Sequence, residues 1–115
     1  MILREKQSIF VNLIAELIFH AQELGYALTF GEALRPPEMA AIYAKKGMGI
    51  KNSNHTIKLA VDLNLFKNGK YLNKTEDHKV LGEWWEQQSF ADIKCVWGGR
   101  FGDGNHYSIE HQGRR

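Results

Sequence analysis

The chain has 115 residues, 43% of them hydrophobic and 24% charged, and its 15 basic and 13 acidic side chains leave a formal charge of +2. That composition belongs to a globular protein rather than a disordered one, and the length suits one domain over residues 1–115. The charges are interspersed without a basic run, so nothing supports nucleic acid as a partner, and the single cysteine, Cys95, excludes an intrachain disulfide.

The opening segment is interrupted by Glu5, Glu16 and Glu23 and is followed by no small-residue cleavage site, so it reads as neither a signal peptide nor a membrane span. Phe10, Leu13, Ile14, Leu17, Ile18, Ala21 and Leu24 recur at three- and four-residue steps, predicting a core-facing helix over residues 9–24 that stops at Gly25. "YALTF" (26–30) alternates like a strand. Pro36 and Pro37 then open a second helix, whose apolar side is Met39, Ala40, Ile42 and Tyr43 and whose stop is Gly47. "KGMGIKNSN" (46–54) has the composition of a loop.

"LAVDLNLF" (59–66) alternates strictly, with Leu59, Val61, Leu63 and Leu65 on one face and Ala60, Asp62 and Asn64 on the other. Asn68-Gly69 predicts a tight hairpin that returns "YLN" antiparallel. A third helix is expected over residues 75–88, capped by Asn73 or Thr75, with Val80, Leu81, Trp84 and Trp85 as its apolar side. A short strand to Trp97, a glycine-rich loop and a strand over residues 105–110 complete the order. In that last strand His106, Ser108 and Glu110 share a face opposite Tyr107 and Ile109. The class is α+β, a small, mainly antiparallel sheet with about three helices. The final "GRR" reads as a frayed, solvated tail.

A histidine and an aspartate seven apart, His55 and Asp62, are ordinary on a protein surface. A second polar cluster, "DGNH", changes their weight, because Asp103 and His106 also lie on or beside a strand with apolar alternate residues. Two imidazoles and a carboxylate are a common ligand set for a catalytic zinc, which keeps a fourth position open. A further carboxylate beside it can take a proton from attacking water and return it to a leaving amine. The expectation is one Zn2+ per chain on His55, Asp62 and His106, with Asp103 in acid–base work.

At these residues the chain resembles zinc peptidases of the D-alanyl-D-alanine carboxypeptidase and dipeptidase type, including the L-alanyl-D-glutamate endopeptidases that serve as phage endolysins. Ser53, His55, Ala60 and Asp62 fit the family pattern SxHxxGxAxD, and Asp103 with His106 fits [ED]xxH. "VWGGRFGDGNH" looks like the endolysin branch, and the resemblance covers residues 30–110. It implies the hedgehog-like fold of these metallopeptidases, Arg35 as stabiliser of an oxyanion, and Ser53 as a substrate-binding or loop-supporting residue. It also implies bacterial peptidoglycan as the partner, cleaved by a monomer without stable membrane insertion. Such an enzyme would be made in a host cytoplasm and reach the wall once the membrane is permeabilised. Lys58 departs from the pattern, standing where the family usually has glycine.

Other polar residues carry weaker expectations. His20 and His78 read as surface or satisfied histidines; His111 as an outer partner of the site or an exposed end; Glu110 as a group orienting His106; Glu32 as a similar supporting group. Cys95 reads as a buried small hydrophobe. The alternatives are a D-alanyl-D-alanine carboxypeptidase or dipeptidase on the same scaffold, a zinc-holding wall-binding module without turnover, and a metal-dependent nuclease.

Overall fold

The computed structural model describes residues 1–47 and 53–115; most of the loop expected at 46–54 therefore lies outside the described residues. The elements run α1 (Leu3–Glu23), β1 (Ala27–Phe30), α2 (Pro37–Lys45), a 3-10 turn (Asn54–Ile57), β2 (Ala60–Lys67), β3 (Lys70–Leu72), a 3-10 turn (Thr75–His78), α3 (Lys79–Gln87), β4 (Cys95–Trp97), a 3-10 turn (Gly98–Phe101) and β5 (His106–Ile109). This is the α+β arrangement expected, three helices with a small antiparallel sheet.

The sheet is built around β2. Strand β1 pairs along one edge, while β5 (opposite residues 60–62) and β3 (opposite residues 65–67) divide the other, and β4 adds outside β5. Every pairing is antiparallel. The strict alternation of β2 explains its central place, because each face has one job. Leu59, Val61, Leu63 and Leu65 are buried with Phe10, Leu13, Leu17 and Ala21 of α1 and Leu81 and Trp85 of α3. Ala60 and Asp62 face the other way, beside His106 and Ser108 of β5.

The helices differ from expectation in several respects. Of the apolar side expected for α2 only Ala40 is buried, while Met39 and Ile42 are exposed. α1 begins at Leu3, because residues 3–8, though without the apolar repeat, are good helix formers with Glu5 in the first turn. The third helix opens as a 3-10 turn, where Asp77 accepts a hydrogen bond from the Lys74 N–H at 3.1 Å, so neither Asn73 nor Thr75 is the cap. Leu81 and Trp85 are buried as expected, whereas Val80 faces solvent and Trp84 stacks on His20 at 4.4 Å. Cys95 is buried in the core.

Trp97 explains the glycines around it. A methyl group added at Gly82 or Gly99 would collide with its indole, and its Nε1–H donates to the Gly104 carbonyl at 2.7 Å. Gly98 gives the same close approach to the chain folding back, since a Cβ there would meet the Asp103 carbonyl and His106. "WGG" is thus a packing device that presses the loop bearing Asp103 onto the strand bearing His106.

Candidate metal centre

His55 sits in the 3-10 turn before β2. Ser53 Oγ accepts from the His55 N–H at 3.2 Å, the Thr56 hydroxyl donates to the Ser53 carbonyl at 2.6 Å, and Leu59 N–H closes the turn on the Asn54 carbonyl at 3.0 Å. Lys58 ends the turn in the left-handed region at φ 60°. That conformation is why glycine is the natural residue there, and the chain reaches it with a lysine.

Asp62 and His106 are direct cross-strand partners in the β2–β5 register, so the pairing alone sets their side chains side by side. Across the other edge of β2, Gly31 N–H bonds to the Asp62 carbonyl and Asp62 N–H to the Glu32 carbonyl, both at 2.8 Å. The position of Asp62 is fixed from both sides.

Three donor atoms converge. His55 Nε2 lies 3.2 Å from Asp62 Oδ1 and 3.2 Å from His106 Nδ1, and His106 Nδ1 lies 3.7 Å from Asp62 Oδ1. Metal–ligand bonds of 2.0–2.1 Å in a tetrahedron put ligand atoms about 3.3 Å apart, so this triangle has the size a zinc ion needs. Asp62 Oδ1 is buried and accepts no well-directed hydrogen bond, as an oxygen reserved for a cation would be. The donor set fits a metal, and His55, Asp62 and His106 are its candidate ligands. Burial works against the Asp62 carboxylate, but the two imidazoles more than offset it and hold its pKa at about 2.

The surrounding groups hold His55 in orientation. Its Nδ1 faces the Ala33 carbonyl at 3.4 Å and Glu32 Oε1 at 3.8 Å, and Glu32 takes a hydrogen bond from Arg35 Nε at 2.6 Å. Arg35 N–H bonds to the His55 carbonyl at 3.0 Å, and its guanidinium lies over Tyr43 at 5.3 Å. Glu32 therefore links the arginine to the histidine. Asp103 stands beside the triangle, half exposed, with Oδ2 3.9 Å from His106 Nδ1. Burial raises its pKa, His106 pulls it back, and the Asp62 charge raises it again; the net direction is upward.

The remaining histidines and Glu110 are engaged elsewhere. His78 is buried against the Tyr107 hydroxyl at 2.9 Å, His111 Nδ1 meets Lys6 Nζ at 3.2 Å, and Glu110 pairs with Lys94 at 3.4 Å instead of orienting His106. Two residues around the site are not apparent from the sequence. Asn54, fully buried, donates from Nδ2 to the carbonyls of Ile109 (2.8 Å) and Arg114 (2.9 Å), and Arg114 Nη2 donates to the Ser53 carbonyl and to Thr56 Oγ1, both at 3.0 Å. Asn54 carried one signal, a polar residue beside His55 inside the motif; Arg114 belongs to a segment expected to fray.

The family profile described as D-alanyl-D-alanine carboxypeptidase matches residues 46–109, more than half of the chain, and includes the three converging ligands and Asp103. No curated protein matches the chain. Among the described residues no helix is long and apolar enough to cross a membrane.

Proposed function

The chain belongs to the D-alanyl-D-alanine carboxypeptidase family, and on that premise we propose that it is a zinc-dependent peptidase of peptidoglycan stem peptides, an endolysin-type enzyme that cleaves the L-alanyl-D-glutamate bond. The observation that carries this reading is the triangle of His55 Nε2, Asp62 Oδ1 and His106 Nδ1, with a half-exposed carboxylate beside it. A wall-binding module would need the ligands but not the fourth group.

The chemistry a bound zinc ion supplies is Lewis acidity, polarising a carbonyl and bringing the pKa of a water to about 7. Asp103 takes the proton of the attacking water and delivers it to the amine that leaves, so the proton it gains in one half of the reaction is spent in the other. Burial, which raises its pKa, favours the protonated form that the second half of the exchange needs. Arg35, held by Glu32 beside His55, supplies positive charge toward the oxyanion of the tetrahedral species. Ser53 supports the turn that presents His55.

Residues 1–115 act as one catalytic domain, a monomer on the wall once the membrane has been opened by another agent. Digestion of purified peptidoglycan followed by mass spectrometry of new termini tests the bond. New L-alanine carboxyl termini paired with new glutamate amino termini are expected. Release of terminal D-alanine alone would replace the endopeptidase with a carboxypeptidase on the same scaffold.

A further inference from the structure

The metal ligand His55 lies on a turn tied down from beyond the matched region. Residues 111–114 fold into their own tight turn: His111 N–H donates to the Arg114 carbonyl at 3.0 Å, Arg114 N–H to the His111 carbonyl at 2.9 Å, and Gln112 and Gly113 take φ of 50° and 78°. From this turn the Arg114 guanidinium reaches the turn that carries His55. One nitrogen, Nη2, bonds to both the Ser53 carbonyl and Thr56 Oγ1, at 3.0 Å each, and so bridges the residue two before His55 and the residue after it. Asn54 closes the ring by donating to the Arg114 carbonyl and to the end of β5.

We propose that Arg114 is a positioning residue for the metal centre, a clasp that sets the Ser53–Thr56 backbone so that the His55 ring meets Asp62 and His106. These bonds fall on the groups flanking His55 and not on the three donor atoms, so their effect passes through the His55 turn. The need for the clasp follows from the turn's own geometry. Within itself the turn is closed by local bonds, Thr56 N–H and hydroxyl on the Ser53 carbonyl and Leu59 N–H on the Asn54 carbonyl; 3-10 bonds have poorer geometry than α-helical ones, and the turn ends in a left-handed lysine. Asp62 and His106, by contrast, are fixed by the sheet ladder. His55 is the ligand with the least support from its own element, and Arg114 provides what that element lacks. Arginine suits the task because its planar fork loses little freedom per hydrogen bond made.

This inference rests on the metal-site reading, and the test separates the two. Zinc affinity is measured by chelator competition for the wild-type chain, His55→Ala, Arg114→Ala and Arg114→Lys, and the imidazole resonances are followed by NMR in the metal-free proteins. Loss of a supporting group around a metal ligand commonly weakens binding about 10- to 100-fold, and Arg114→Ala is expected to fall in that range, with partial recovery in Arg114→Lys. In the metal-free protein the His55 ring should shift or broaden while the buried His78 ring stays unchanged. Zinc affinity of Arg114→Ala within about twofold of wild type, together with an unmoved His55 ring, would overturn the proposal. A general shift that includes His78 would also overturn it, by showing an ordinary structural role. If instead wild type and His55→Ala bind zinc alike, the metal-site reading fails, and the His55 resonance still decides whether Arg114 positions that ring.

Discussion

Asp103 and Lys58 show how far a single side chain can be judged from its surroundings. Asp103 stands 3.9 Å from His106 and outside the converging triangle, so Asp103→Asn should keep zinc near one per chain while hydrolysis falls by about 10²- to 10⁴-fold. Metal content and turnover measured on one preparation check this. Lys58 holds φ 60° without glycine's freedom. A left-handed residue with a Cβ costs about 1–2 kcal/mol, and glycine's extra unfolded-state entropy returns about half of that. Lys58→Gly should therefore stabilise the fold by about 0.5–1 kcal/mol, seen as a higher urea midpoint with an unchanged slope. His55, Asp62 and His106 were legible in the sequence because ionisable residues set into or beside an apolar alternation are costly to bury unless they meet a partner, and two such clusters can supply one another. Asn54 and Arg114 were not, because their partners are mostly main-chain carbonyls, which every sequence offers alike.

Among the elements, β2 was readable because one face of residues 59–66 is leucine and valine throughout while the other carries Asp62 and Asn64, and its limits moved by a single position. The start of α1 was not, since residues 3–8 are helical by propensity and carry no periodic signal. The packing of α3 on β4 was also hidden. Gly82 looks like a defect in a helix, yet a methyl group there would enter the Trp97 ring. In an exposed helix Gly→Ala gains up to about 1 kcal/mol; here overpacking should reverse the sign, and Gly82→Ala is expected to cost about 1–3 kcal/mol. Denaturant titration gives the sign directly. Because Trp97 also holds the Gly104 carbonyl, the same substitution should disturb the loop that carries Asp103.

For the molecule as a whole, one contribution to acid stability comes from a residue outside the site. His78 is buried against Tyr107, and burial lowers its pKa from 6.5, with Asp77 opposing. Above that value the ring is neutral in both the folded and the unfolded chain, so it adds no pH dependence. As pH falls below 6.5 the unfolded chain takes the proton first, and stability declines until the lower folded-state value is passed. Unfolding midpoints of the metal-free protein between about pH 7.5 and 5.5 should drop, and His78→Gln should flatten that drop. The metal triangle has a different consequence, one of timing. His55 and His106 are 51 residues apart, so an unfolded chain has no such triangle, and the ligands meet only when β5 has docked on β2. Zinc should then leave the refolding rate nearly unchanged and act on the way out, slowing unfolding by up to about 10³-fold at a thousand times its dissociation constant. Stopped-flow refolding and unfolding with and without zinc would separate the two limbs. On that reading, the lifetime of the folded chain should become a function of how much metal its surroundings hold.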